Sequence, residues 1–276
     1  MAISQVFNMD CMEGMKQYPD GFFDLAVVDP PYGISVTARH RATEAGVPLV
    51  GGEARPFGGA KNRNPNSKAN LTGGWSVQLH RNQQPAIRGI DSGTGEKLSL
   101  QPAFYHAFDD SSPPDAAYFR ELRRVSKNQI IWGGNFFLDN LGATNCLIVW
   151  DKKRRGLDQA DCEIAWTSFK EQNRIFEFRW NGMLQGDMKN KEERIHPTQK
   201  PVALYNWCFQ RWCKPGDKIL DTHLGSGSSR IAAYENNLDF YGFEIDSYYY
   251  EEQEKRFSQH TQQFSLFVDE GDNDFY

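Results

Sequence analysis

Asp24-Leu25-Ala26-Val27-Val28 runs directly into Asp29-Pro30-Pro31-Tyr32-Gly33, and this junction constrains the fold more than any other stretch of the chain. The apolar run is too short for a helix and reads as a buried strand. Two prolines then fix φ and remove backbone donors, so the strand must stop there. What remains is a rigid acceptor: a carboxylate, a carbonyl and an aromatic face at the carboxyl end of a strand, where open α/β sheets place their ligands. Such a surface suits a planar base carrying an exocyclic amine. Asp29 and the Pro30 carbonyl would accept the amine hydrogens and Tyr32 would stack on the ring. A proline turn with Tyr32 as a packing residue is the plainer alternative, and the junction alone does not choose.

The rest of the chain alternates short apolar runs with helical periodicity. Strands are predicted at Ser4–Met9, Gln129–Trp132, Cys146–Trp150, Ile219–Asp221 and Phe240–Glu244. Helices are predicted at Met12–Tyr18, Asp115–Val125, Lys200–Trp212, within Ser226–Asn236, and at Tyr248–Phe257 with Asp246 or Ser247 as cap. Asp161–Thr167 and Arg174–Trp180 alternate polar with apolar residues and are predicted to pair as a hairpin. Strands alternating with helices imply a mostly parallel sheet. At 276 residues, 39% of them hydrophobic, the chain can bury the core of one large α/β domain.

One long segment breaks this rhythm. From Ile34 to about Pro102 the chain is rich in Gly, Asn, Arg and Pro and has little periodicity. Loops of that length inside a compact domain are uncommon unless they serve a function or are disordered. Nine basic residues face four acidic ones between Ile34 and Leu100, although the whole chain carries a net charge of −5. Local charge decides what a polyanion meets, so Arg39, Arg41, Lys61, Arg63, Lys68, Arg81 and Arg88 are candidate nucleic-acid contacts. A merely solvated insertion is the alternative.

A second constellation lies near the carboxyl end. Asp221-Thr222-His223-Leu224-Gly225-Ser226-Gly227-Ser228-Ser229 links a strand to a helix, and Glu244 ends the next strand about 20 residues on. Two glycines permit a tight turn and close approach of a ligand, and a carboxylate at that spacing suits ribose hydroxyls. A dinucleotide-binding oxidoreductase would share this outline. Here Arg230 replaces the third glycine, and Asp221 would repel a phosphate but hold an ammonium. Both departures favour S-adenosylmethionine over NAD. Upstream, Thr198 and Lys200 of His196-Pro197-Thr198-Gln199-Lys200-Pro201 are candidates for a carboxylate; a helix start with Pro201 in its first turn is the plainer reading.

Taken in the order DPPYG, HPTQKP, DTHLGSGSS, these motifs resemble the permuted beta class of DNA adenine-N6 and cytosine-N4 amino-methyltransferases of phage and bacterial type, over about Ser4 to Phe257. Gly133-Gly134-Asn135 and Ala165-Trp166-Thr167-Ser168 look like phage-type members too. The resemblance implies a Rossmann-like methyltransferase fold with a mostly parallel, seven-stranded doubly wound sheet. A single domain over 1–260 would carry an insertion at about 34–105 for target recognition. It assigns Asp29, Pro30, Pro31 and Tyr32 to the target amine and base, with Asp29 also near the cofactor. Asp221, His223, Gly225, Ser226, Gly227 and Ser228 fall in the cofactor loop, Glu244 on ribose, Thr198 and Lys200 on the methionine carboxylate, and Asp10 near the adenine. Relatives usually carry Pro-Phe where Thr222-His223 stand here, so His223 takes the place of an aromatic contact.

The resemblance implies double-stranded DNA as substrate and S-adenosylmethionine as cofactor, with no metal. Asp rather than Ser before Pro-Pro-Tyr resembles adenine-N6 enzymes more than cytosine-N4 ones, and the cytosine-N4 reaction stays open as the alternative. A carbon-5 cytosine enzyme would need a Pro-Cys dipeptide, and none exists. A catalytically silent DNA-binding protein is the remaining class, against which the intact Asp29 and Tyr32 argue. Gln263-Phe264-Ser265-Leu266-Phe267 resembles the short segment by which bacterial proteins bind the replication sliding clamp, on an acidic tail over 261–276 expected to be mobile. Relatives often pair, so a homodimer is compatible with the resemblance. Five cysteines, odd in number and without CxxC or zinc spacing, read as reduced thiols. With no membrane-length apolar run or leader-like start, the chain is expected in the cytoplasm.

Overall fold

Period-two alternation along β2 (Phe23–Val28) sends Leu25 and Val27 to one face of the sheet and Ala26 and Val28 to the other, and all four are buried. A strand covered on both faces belongs in the middle of an α/β sandwich, and β2 lies there. The computed structural model describes residues 2–33, 106, 110, 112–155, 160–181 and 184–271, with side chains as far as Gln262. The predicted 34–105 insertion and its seven candidate DNA contacts lie outside these residues, apart from the two isolated positions 106 and 110 that follow it. Met1–His40 and Tyr105–Tyr276 form one unit.

The strands are β1 (Ser4–Asn8), β2, β3 (Ser126–Trp132), β4 (Leu147–Asp151), β5 (Cys162–Thr167), β6 (Arg174–Glu177), the small pair β7 (Trp180–Asn181) and β8 (Leu184–Gln185), β9 (Lys218–Asp221) and β10 (Asp239–Glu244). The main sheet runs β1-β10-β9-β2-β3-β5-β4-β6 and is parallel throughout except for β5, which opposes both its neighbours. It has eight strands, not the expected seven. The extra one is β6, and its placement also corrects the predicted hairpin. Both edges of β5 are taken, by β3 and β4, so β6 joins the free edge of β4 in parallel, with Trp150 opposite Phe176.

Helices cover both faces. On one lie α1 (Cys11–Met15) and α2 (Ala116–Val125), which bury Met15, Phe119, Leu122 and Val125 against Ala26, Val28 and Ile131. Asp115 caps α2, accepting from the amides of Ala117 (2.8 Å) and Tyr118 (3.0 Å). On the other lie α4 (Val202–Trp212) and α5 (Ser228–Glu235), with Leu204, Cys208, Phe209, Ala232 and Ala233 packed on Leu25, Val27, Ile130 and Trp150. A short α3 (Leu138–Leu141) follows β3, and α6 (Ser247–Gly271) closes the chain under an Asp246 cap. The backbone of α6 continues past the predicted end at Phe257 to Gly271, inside the 261–276 segment expected to be a loose tail. No glycine or proline interrupts Tyr248–Glu270 to stop it. Among the described residues no helix is long and apolar enough to cross a membrane.

Candidate active site

Parallel strands share a carboxyl edge, and the strand order decides what lies along it. From β1 through β10, β9 and β2 to β3, the residues leaving that edge are Asp10, Glu244, Asp221, Asp29 and Gly133. The opposed strand β5 begins on the same edge with Glu163 beside it, and β4 ends there before Lys152. Three motifs remote in sequence thus meet along one line.

At the β2 end the Tyr32 hydroxyl donates to Asp29 Oδ1. Burial first, and Asp29 beside it, hold the Tyr32 phenol well above its ordinary range, so it stays a donor. Its ring stacks on Phe136 at 4.9 Å between centroids and 16° between planes. Gly133 is required behind it: with φ at 67°, a Cβ there would stand 2.2 Å from the Tyr32 ring. Pro30 is buried and Pro31 half-buried beside them. Gly33 approaches Pro113 so closely that a Cβ would come within 2.7 Å of its Cδ.

Lys200 reaches this half of the edge. Its ammonium, on a side chain only 4% exposed, pairs with Asp29 Oδ2, lies 3.3 Å from the Tyr32 hydroxyl and 3.2 Å from Glu163 Oε2. Burial opposes that charge, but Asp29 and Glu163 outweigh it and raise the Lys200 pKa. The sequence places Lys200 at a cofactor carboxylate; in the structure its ammonium meets Asp29 and Glu163, the counter-ions a buried charge needs. Glu163 is held in turn by Lys152. Despite burial, the two lysines bring Glu163 down to about 2. Sequence reasoning missed Glu163, Lys152 and Phe136. A basic run and an alternating strand announce solvated charge, and nothing in their local pattern shows that the sheet buries these two together.

The glycine loop after β9 is built differently. Gly225 and Gly227 take positive φ (51° and 71°), which turns the chain from β9 into α5. Asp221 is buried, accepting from the Ser229 hydroxyl (2.5 Å) and the His223 amide (3.1 Å). Among the described residues no cation pairs with it, and burial raises its pKa to about 7. Glu244 accepts from the amides of Gly225 (2.7 Å) and Asp246 (2.9 Å), one on each oxygen, and burial raises its pKa too. Asp10 caps α1 through the amides of Met12 (2.8 Å) and Glu13 (3.2 Å). Thr222 bridges the Tyr118 hydroxyl (2.7 Å) and His223 Nδ1 (2.9 Å), and burial holds His223 down at about 4, so its ring is neutral. Ser226 and Ser228 contact each other at 3.1 Å, and Arg256 from α6 donates to the Ser226 carbonyl and Ser228 Oγ. Thr198 contacts His196 Nδ1 at 3.0 Å, and a Cβ on Gly225 would lie 3.8 Å from the His196 ring, so this segment borders the loop. Arg230 turns away to Ser4, Gln253 and Glu254.

These acceptors fit a cationic nucleoside. A buried carboxylate without a counter-ion suits an ammonium, and a second with spare lone pairs suits ribose hydroxyls. The arrangement repels a pyrophosphate, as Asp29 and Glu244 already oppose the ionisation of Asp221.

A family model described as DNA methylase matches residues 23–255. The Type II methyltransferase M.BglII of Bacillus subtilis is 22% identical over 280 aligned residues, covering 90% of this chain and 67% of its own length. The Type II methyltransferase M.HpaI of Haemophilus parainfluenzae is 36% identical over 67 residues, which span 24% of this chain and only 21% of that relative. Among solved structures, the cytosine-N4-specific PvuII DNA methyltransferase superposes with a TM-score of 0.49 at 10% identity, covering 98% of this chain and 94% of that one.

Proposed function

The chain belongs to the DNA methylase family of S-adenosylmethionine-dependent N6 and N4 amino-methyltransferases, and from that premise we propose that it methylates N6 of a flipped adenine in double-stranded DNA. The observation that carries this reading is the Asp29–Tyr32 pair, a carboxylate and an aromatic ring locked together at the carboxyl end of β2. The bound cofactor supplies a methyl group already activated by a sulfonium. The protein must therefore align the amine, exclude water and stabilise the positive charge that develops on nitrogen. Asp29 accepts one amine hydrogen and offers the opposing charge, the Pro30 carbonyl accepts the other, and Tyr32 stacks on the base once it has left the duplex. Asp221 would take the cofactor ammonium, Glu244 its ribose, and His223 and Asp10 would flank the adenosine end. The 34–105 segment is the proposed target reader. Its Arg and Lys residues suit phosphates and guanine edges.

The preference for adenine rests on the Asp that precedes Pro-Pro-Tyr. Cytosine-N4 transfer on the same scaffold is the second reading, since the pocket offers an exocyclic amine the same partners in either base. The test is digestion and mass spectrometry of DNA incubated with protein and methyl-labelled S-adenosylmethionine, with Asp29→Ala as control. N6-methyladenine that vanishes in the control supports the proposal, and N4-methylcytosine replaces it with the second reading. No labelled base despite cofactor binding removes both.

A further inference from the structure

Resting on the reading that Asp29 receives the target amine, we propose that Lys200 occupies that amine's place while the pocket holds no base, and that Glu163 is the seat Lys200 takes when a base enters. Three observations converge on this. The Lys200 ammonium donates to Asp29 Oδ2 and lies 3.3 Å from the Tyr32 hydroxyl, so an N–H donor already fills the position an exocyclic amine needs. Glu163 Oε2 lies buried 3.2 Å from the same nitrogen and already pairs with it, while Oε1 is held by Lys152. The ammonium therefore bridges the two carboxylates, and Glu163 can keep it when Asp29 is taken. Phe136 repeats the arrangement for the ring: 49% exposed, it stacks on Tyr32 where a base would lie.

The charges permit the exchange. Asp29, Lys200, Glu163 and Lys152 alternate in sign and sum to zero. A neutral amine arriving at Asp29 leaves Lys200 between two carboxylates, both still within its reach, so no buried charge is stranded. Base entry is then a competition, and apparent affinity for the extrahelical base falls by the fraction of molecules in which Lys200 remains on Asp29. Glu163 is a positioning residue in this scheme, acting on Asp29 through Lys200.

The experiment uses duplexes in which the methylated base is replaced by a fluorescent analogue (2-aminopurine for adenine, pyrrolocytosine for cytosine), whose emission rises on extrusion. Glu163→Gln removes the anionic seat and should weaken base entry about tenfold, while cofactor affinity by calorimetry stays unchanged. Lys200→Met should favour entry, and in the double variant the Glu163→Gln defect should disappear. A purely structural network predicts the opposite: both single changes weaken entry and the double is no better. That outcome, or a Glu163→Gln protein with unaltered extrusion, overturns the proposal. Should Lys200→Met fail to fold, as judged by its melting transition, Lys200→Gln takes its place in the single and double variants, and the same two patterns decide. Wild-type protein that methylates no base refutes the function itself, whereas methylation by wild type with unaltered Glu163→Gln extrusion refutes only the exchange.

Discussion

The two halves of the carboxyl edge keep their carboxylates in opposite ways. Around β2 and β5, Asp29 and Glu163 are neutralised by Lys200 and Lys152, and their partners are side chains from distant elements. Around β9 and β10, Asp221 and Glu244 have no ion pair among the described residues, and their partners are backbone amides and a serine hydroxyl from the adjoining turns. Counter-ions hold Glu163 at about 2, while Asp221, more deeply buried, rises to about 7. Two cations offset burial at Glu163, and no cation among the described residues offsets it at Asp221. The first half has its charge already satisfied, so under the exchange proposed above a ligand there displaces a partner. The second lacks a positive charge, and a cationic ligand completes it.

Removing the acceptor from the satisfied half should produce the largest effect. Asp29→Ala deletes the group that opposes charge on the amine, and kcat for DNA methylation should fall on the order of 10³-fold. Cofactor affinity should hold, because Asp221 and Glu244 are untouched. Loss of cofactor binding in this variant would show that the two halves do not act separately. Deleting Gly51–Gly95 should likewise end site-specific DNA methylation while leaving cofactor binding intact. Retained site-specific methylation in that deletion would remove the 34–105 segment from target recognition.

A smaller effect is expected at Gly133. Its positive φ and the 2.2 Å approach of a Cβ to the Tyr32 ring leave no room for alanine without moving the ring. A displacement near 1 Å at a reacting geometry costs about 10²-fold, so Gly133→Ala should lower kcat/KM for DNA by about that factor and again spare the cofactor. Comparable losses in DNA methylation and cofactor affinity would point to general unfolding, which a melting curve would confirm.

The two halves also differed in how far the chain disclosed them. Asp29, Tyr32, Asp221, Gly225, Gly227 and Glu244 sit at strand ends, and runs such as Asp24–Val28 and Phe240–Glu244 mark those ends by hydrophobicity alone. Local pattern therefore places them on one edge as soon as the strands are taken as parallel. Glu163 and Lys152 come together only because β5 is reversed between β3 and β4. Strand direction inside a sheet leaves no local trace in a six-residue alternating run, and the same ambiguity produced the predicted hairpin. The Lys200 pairing is hidden from the sequence for a related reason: its motif borders the glycine loop through His196, yet its four-carbon stem carries the charge across to Asp29. The position of its Cα suggests one half of the site and its ammonium serves the other.

Asp221 gives the smallest effect and the most discriminating one, because it titrates. Its folded pKa of about 7 stands above the ordinary carboxylate value of 3.8, through burial first and the nearby Asp29 and Glu244 charges after it. A raised acid contributes stability that is fully present below the unfolded pKa and is lost as pH rises through the folded one. The cofactor-free protein should therefore lose this contribution between about pH 4 and pH 7. An ammonium prefers the ionised carboxylate, so cofactor affinity should rise across pH 5.5 to 7.5, below the ordinary α-amino pKa of about 8. The surrounding histidines do not compete in that window, since burial holds His196 at about 3 and His223 at about 4. Asp221→Asn keeps the shape and removes the titration. Calorimetry should find cofactor binding about tenfold weaker at pH 7.5, the worth of one charge-assisted hydrogen bond, and nearly flat with pH. A variant that retains the wild-type slope would assign the pH dependence to another group, leaving Asp221 as a brace for Ser229 and the turn.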